Sequence, residues 1–179
     1  LLDSCVILGA QYTSGKDFIG NLLNSLNMLN HDNVVLALKI VDHVLKHYCT
    51  ESEDLAAFKI CIQHVYPHTY RLATDTQTDT HIAILDIIDT WIKYLPPSEW
   101  QNLAEHFVIS KDISTANRSA PRSVASTYID HYDDTVRLKF YKLCIDMDNK
   151  IVAEGQESFV RPLLLYGLAD KSVDVVQPL

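Results

Sequence analysis

The sequence is poor in turn formers: only 5 Gly and 6 Pro occur among 179 residues. A fold of many short strands needs a turn signal every few residues, so an all-β protein is excluded. Cysteine is sparse as well. Cys5, Cys49, Cys61 and Cys144 form no C-x-x-C pair and no disulfide framework. They are expected to be buried, reduced thiols, which points to a nuclear or cytoplasmic setting. No apolar run approaches the ~18 residues that span a bilayer, and no secretory signal is visible, so no membrane partner is expected. Runs of Lys and Arg are missing too. Fifteen basic residues face 23 acidic ones, for a net charge of −8. A surface this acidic repels phosphate backbones, and no direct nucleic-acid contact is expected.

What is present is a globular composition, with 47% hydrophobic and 21% charged residues. A chain of this length suits one domain that buries about two-thirds of its unfolded surface. It starts at Leu1 and stops at Pro178-Leu179 as a new helical pattern begins, which reads as a piece of a longer protein.

The apolar residues recur at helical spacing. Phe18, Ile19, Leu22, Leu23, Leu26 and Leu29 predict a helix over 16–30. The polar residues His31-Asp32-Asn33 break it, and Val34, Leu38, Val41, Leu45 and Tyr48 predict the next. So short a break makes the two helices antiparallel neighbours. Thr50 and Glu53 have capping-box spacing and open a third helix with Leu55, Phe58, Ile62 and Val65, which Pro67 kinks or ends. The polar stretch Thr74–Thr80 reads as a loop. A fourth helix carries Ile84, Leu85, Ile88, Trp91, Ile92 and Leu95. Pro96-Pro97 stops it and opens a fifth with Trp100, Leu103, Ala104, Phe107 and Val108.

Residues 110–126, rich in Ser, Thr, Ala and Asn, break this rhythm and read as an inserted surface loop, with a short helix near Val124–Ile129. Beyond His131–Thr135, Val136, Phe140, Leu143, Cys144 and Met147 predict another helix. Val160, Leu164, Leu165 and Leu168 predict one over Ser158–Ala169, and Asp170-Lys171-Ser172 turns the chain into a last one.

Three junctions look alike: Leu29–Val34, His131–Arg137 and Leu168–Val173. Each places an Asp in a tight turn, where it caps the following helix, and a Val on the core side of that helix. The repeat is anchored on Asp32, Asp134 and Asp170: from Asp32 to the Thr-rich loop near Thr76, and from Asp134 to Asp170, is about one HEAT period of ~40 residues, and from that loop to Asp134 is longer by roughly the length of the inserted loop. The expected fold is therefore all-α: an α-solenoid of about four antiparallel helix pairs, HEAT/armadillo-like, forming one segment over 1–179.

Leu95-Pro96-Pro97-Ser98-Glu99-Trp100 through Phe107, then His131 to Met147, then Pro162 to Val176 resemble the HEAT region of the phosphatidylinositol-3-kinase-like kinase family. The resemblance covers roughly residues 84–179 and includes His131, Arg137, Tyr141, Gly167 and Leu168. It implies a superhelical arm of a giant serine/threonine kinase acting in DNA double-strand-break end joining. The family's catalytic residues lie elsewhere, so none is carried over.

Motifs that suggest chemistry are each incomplete. Gly9-Ala10-Gln11-Tyr12-Thr13-Ser14-Gly15-Lys16-Asp17 resembles a phosphate-binding loop. However, five residues separate its glycines, and Asp17 stands where a Mg²⁺-binding hydroxyl belongs. His43/His47 and His64/His68 have the i, i+4 spacing of a metal-binding helix face, without the Glu of H-E-x-x-H. Asp86 and Asp89 are spaced like an acid/base pair, yet they flank an apolar stripe as a solvated face does. Asn117-Arg118-Ser119 has the form of a glycosylation sequon, which has no meaning without a secretory route. No catalytic, cofactor-binding or metal residue is therefore assigned, and no cofactor is expected. Thr76, Ser114, Ser119 and Ser123 are candidate phosphorylation positions, Thr76-Gln77 having the form kinases of the resembled family favour.

The expected function is a non-catalytic scaffold segment. Its partners are flanking helical repeats of the same chain, and other proteins that bind exposed helix edges or the inserted loop. The alternative is a HEAT or armadillo adaptor in transport or phosphatase assembly, unrelated to kinases.

Overall fold

The computed structural model describes Asp17, Asn21, residues 31–50, 55–73 and 77–100, Leu103, and residues 124–179. Among these the chain is all-helical and no strand occurs. The helices are α1 (His31–Thr50), α2 (Leu55–Leu72), α3 (Thr78–Tyr94), α4 (Val124–Ile129), α5 (Asp134–Ala153), α6 (Arg161–Gly167) and α7 (Val173–Val176), with a 3₁₀ turn at Pro97–Glu99. The chain divides into two compact units, Leu1–Tyr94 and Leu95–Leu179.

In the first unit, Asp17 and Asn21 are helical, as a helix over 16–30 requires. Its apolar residues lie outside the described residues. Val34, Leu38, Val41 and Leu45 of α1 are all buried at the expected spacing. Two expected boundaries move. His31-Asp32-Asn33 is the first turn of α1, so Asp32 lies inside the helix and is not the residue that precedes and caps it. Thr50 is the last residue of α1 and does not open α2, while Glu53 lies outside the described residues.

Phe58, Cys61, Ile62 and Val65 form the buried face of α2. Leu55 is 48% exposed, so that face begins about a turn later than the pattern suggests. Pro67 does not end the helix, which continues to Leu72. The bond its missing N–H would have made to the Gln63 carbonyl falls on the solvent side, where both residues are exposed and water can replace it.

The stripe on α3 is buried throughout: Ile84, Leu85, Ile88, Trp91, Ile92, and Leu95 just beyond. Burying each such side chain is worth about 1.5–3 kcal/mol. Thr78, Asp79 and Thr80, expected in a loop, belong to this helix. Asp79 favours the first turn through the helix dipole, and Thr80 is buried. Packing thus outweighs the weak propensity of a Thr-rich segment. Helices α2 and α3 run antiparallel. Phe58 near the start of α2 meets Tyr94 at the end of α3, with ring centroids 6.4 Å apart. At the other end, His81 Nε2 lies 3.2 Å from the carbonyl of Ala73. Helix α1 packs on both, most extensively on α3.

Near the start of the second unit stands Pro96-Pro97, whose fixed φ suits the 3₁₀ turn. Trp100 is buried and donates Nε1–H to the Leu95 carbonyl at 3.1 Å. Leu103 is helical and buried; Ala104, Phe107, Val108 and residues 110–123 lie outside the described residues. Helix α5 is the central element, and the 3₁₀ turn, α4, α6 and α7 all pack on it. Val136, Phe140, Leu143, Cys144 and Met147 are buried as expected. Tyr128 of α4 stacks on Phe140 with centroids 5.2 Å apart.

Helix α5 ends in a Schellman motif. The N–H of Gln156 bonds the Ile151 carbonyl, and that of Gly155 bonds the Val152 carbonyl. This requires φ +73° at Gly155, which glycine adopts without strain. The chain then reverses into α6, which is antiparallel to α5. Arg161 at the start of α6 pairs with Asp148 late in α5 at 3.0 Å, while Asp170, just past α6, reaches back to Arg137 in the first turn of α5.

Helix α6 differs from expectation. It is shorter than 158–169, and its inward residues are Val160, Leu163 and Gly167. Leu164 is half-buried, while Leu165 and Leu168 are 69% and 53% exposed. Gly167 sets this rotation. A Cβ there would lie 2.8 Å from Tyr141 Cε1 and would also strike Leu179, so the backbone of α6 itself is pressed onto α5. Similarly, α7 buries Val175 and leaves Val173 76% exposed. The expected inward Val thus holds at Val34 and Val136 but not at Val173.

Candidate functional site

The residues of the second and third look-alike junctions come together at the foot of α5. Arg137 falls on the apolar face of α5, three and four residues before Phe140 and Tyr141. A guanidinium there must find partners. Its Nε and Nη2 donate to Asp170 Oδ2 and Oδ1 at 2.8 and 3.1 Å. Its Nη1 donates to the carbonyls of His131 at 2.7 Å and Tyr132 at 3.3 Å. The two side chains are 4% and 6% exposed. Fork and carboxylate are aligned as in bidentate pairs, the strongest arrangement of these groups.

Surrounding bonds fix both partners. Asp170 Oδ1 also accepts from the Ser172 N–H at 2.8 Å, and Ser172 Oγ donates to Asp134 Oδ2 at 3.4 Å. His131 Nδ1 accepts from the Asp133 N–H at 3.1 Å. Asp133 caps α5 by accepting from the Thr135 N–H at 2.9 Å. The expected cap, Asp134, is the first residue of the helix, so the capping role shifts by one residue. The Arg137 hydrogen bond holds the Asp170 carboxyl below the usual carboxylate range, against burial, and the Ser172 N–H adds to this. The same hydrogen bond raises the pKa of Arg137.

His131 and Arg137 are hydrogen-bonded within this cluster, and Tyr141 and Gly167 pack against each other beside it. Leu168 is exposed next to it. Each of the four therefore has a packing or hydrogen-bonding role here.

The first unit contains a second polar cluster. Asp42 is buried, with Oδ1 accepting from Thr90 Oγ1 at 2.6 Å and Oδ2 from Lys46 Nζ at 2.5 Å, which ties α1 to α3. Thr90 Oγ1 also lies 3.1 Å from the Asp86 carbonyl. Burial disfavours the Lys46 charge, but the bond to Asp42 and the charges of Asp42, Asp86 and Asp89 outweigh it and raise its pKa. Asp86 and Asp89 are thus half-buried carboxylates that balance Lys46.

The remaining sequence candidates are dispersed. His43 is exposed, and His47 is half-buried, edge-on to Tyr48 at 6.2 Å. His64 is exposed and His68 half-buried on the uninterrupted α2. Burial, then Arg71, lowers the pKa of His68. Among the described residues no three His, Cys, Asp or Glu side chains are placed to hold a metal ion. Burial pushes the Cys49 thiol up to about 11 and the Cys144 thiol well above its ordinary value. Cys49, Cys61 and Cys144 form no disulfide, and burial of this kind makes thiols unreactive. No described helix is long and apolar enough to cross a membrane. Thr76, Ser114, Ser119, Ser123, the sequon and the Gly9–Lys16 stretch lie outside the described residues.

The Arg137–Asp170 pair escapes a sequence reading because 33 residues separate its members. The available signal is local: Arg137 shares the apolar face with Phe140, Tyr141 and Cys144.

The chain matches no family model, no curated protein and no solved structure.

Proposed function

We propose that this chain is a non-catalytic scaffold segment built from stacked antiparallel helix pairs of HEAT or armadillo type. The supporting observation is that among the described residues each unit contains an antiparallel helix pair, α2 with α3 and α5 with α6, each closed by polar or aromatic contacts at both ends. The proposed partners follow from the surface. Leu165 and Tyr166 of α6, Leu168 just past it and Val173 of α7 are all exposed, and on this proposal they make up one apolar ledge. In a solenoid such a ledge is covered by the next helix pair of the same chain, because each repeat buries its apolar face only against its neighbours.

On this reading the segment belongs to a nuclear or cytoplasmic protein. The resemblance over residues 84–179 extends the reading to the HEAT region of the DNA-dependent protein kinase catalytic subunit. The parent would then be a giant kinase of DNA end joining, and the segment would be part of its arm. A kinase domain C-terminal to this segment in the same reading frame selects that parent over a transport or phosphatase adaptor.

The ledge is tested on the 179-residue chain alone. It should bind an apolar dye and self-associate with rising concentration. The Leu165→Asp/Val173→Asp variant should lose most of both effects while keeping its helical circular dichroism. Both residues are exposed, so their replacement leaves the core intact. A chain that binds no dye and stays monomeric would remove the support for a covered ledge.

A further inference from the structure

We draw no further inference here: the strongest candidate, the Ser172–Asp134–Asp170–Arg137 side-chain cluster at the foot of α5, belongs to the site already described and has only its own internal hydrogen bonds, with nothing beside them that points to a ligand.

Discussion

Replacing Arg137 by Ala should be among the most damaging single changes in the second unit. The guanidinium makes two bonds to Asp170 and two to backbone carbonyls, and both members of the ion pair are nearly shielded from solvent. Its removal leaves the Asp170 carboxylate buried with the Ser172 N–H as its remaining donor in the cluster. Breaking a buried pair in this way costs about 3–5 kcal/mol, whereas an exposed pair costs under about 1 kcal/mol. Much of that cost is the stranded charge, so Arg137→Met/Asp170→Leu should recover a large part of it. A cycle with Ala at each position should give a coupling of about 1–3 kcal/mol.

Urea unfolding followed by tryptophan fluorescence in a Trp91→Phe background measures this, because the remaining indole, Trp100, is buried in the second unit. The pH dependence carries a sign. Asp170 is held below its unfolded value of about 3.9. Its contribution is therefore complete above that value and is lost as pH falls through the folded pKa. Asp170→Asn should remove this acid-sensitive component. A loss below about 1 kcal/mol for Arg137→Ala, with no coupling to position 170, would refute the assignment of the pair as the buried clasp of this unit.

Gly167→Ala should destabilise the second unit by about 1–3 kcal/mol through overpacking against Tyr141. Gly155→Ala, at φ +73° with nothing within 4 Å of the new Cβ, should cost only the backbone strain of about 1–2 kcal/mol. Equal thermal shifts that persist when Tyr141 is truncated would contradict the steric explanation. Asp133→Ala should cost about 0.5–2 kcal/mol as the loss of a helix cap. Asp134→Ala should cost less in the same denaturation assay, and the reverse order would return the capping role to Asp134. In the first unit, Thr90→Val takes a donor from buried Asp42 and should cost about 1–3 kcal/mol by chemical denaturation. An unchanged midpoint would mean that Asp42 finds another donor.

Legibility differs from one element to another. Helices α1, α3 and α5 are long, and their core stripes are those the spacing indicates: Val34 to Leu45, Ile84 to Leu95, and Val136 to Met147. The short helix at Val124–Ile129 was also legible. The ends of helices were less so. At Thr50, Asp32 and Thr78–Thr80, residues with capping or turn chemistry lie inside helices, because burial of a neighbouring stripe extends a helix through residues of modest propensity. The facing of α6 is not legible from its sequence. Leu163, Leu164, Leu165 and Leu168 are close to equivalent as apolar residues, and four such positions do not define one face.

The helical class and the main core stripes of α1, α3 and α5 follow from the sequence alone, since these depend on interactions between residues a few positions apart. Which leucines of α6 point inward is settled by tertiary packing, because that depends on Gly167 meeting Tyr141. The same packing joins two similar junctions through Arg137 and Asp170. The charge of a guanidinium on an apolar helix face announces the need for a partner, but its identity is set by how α6 folds back along α5.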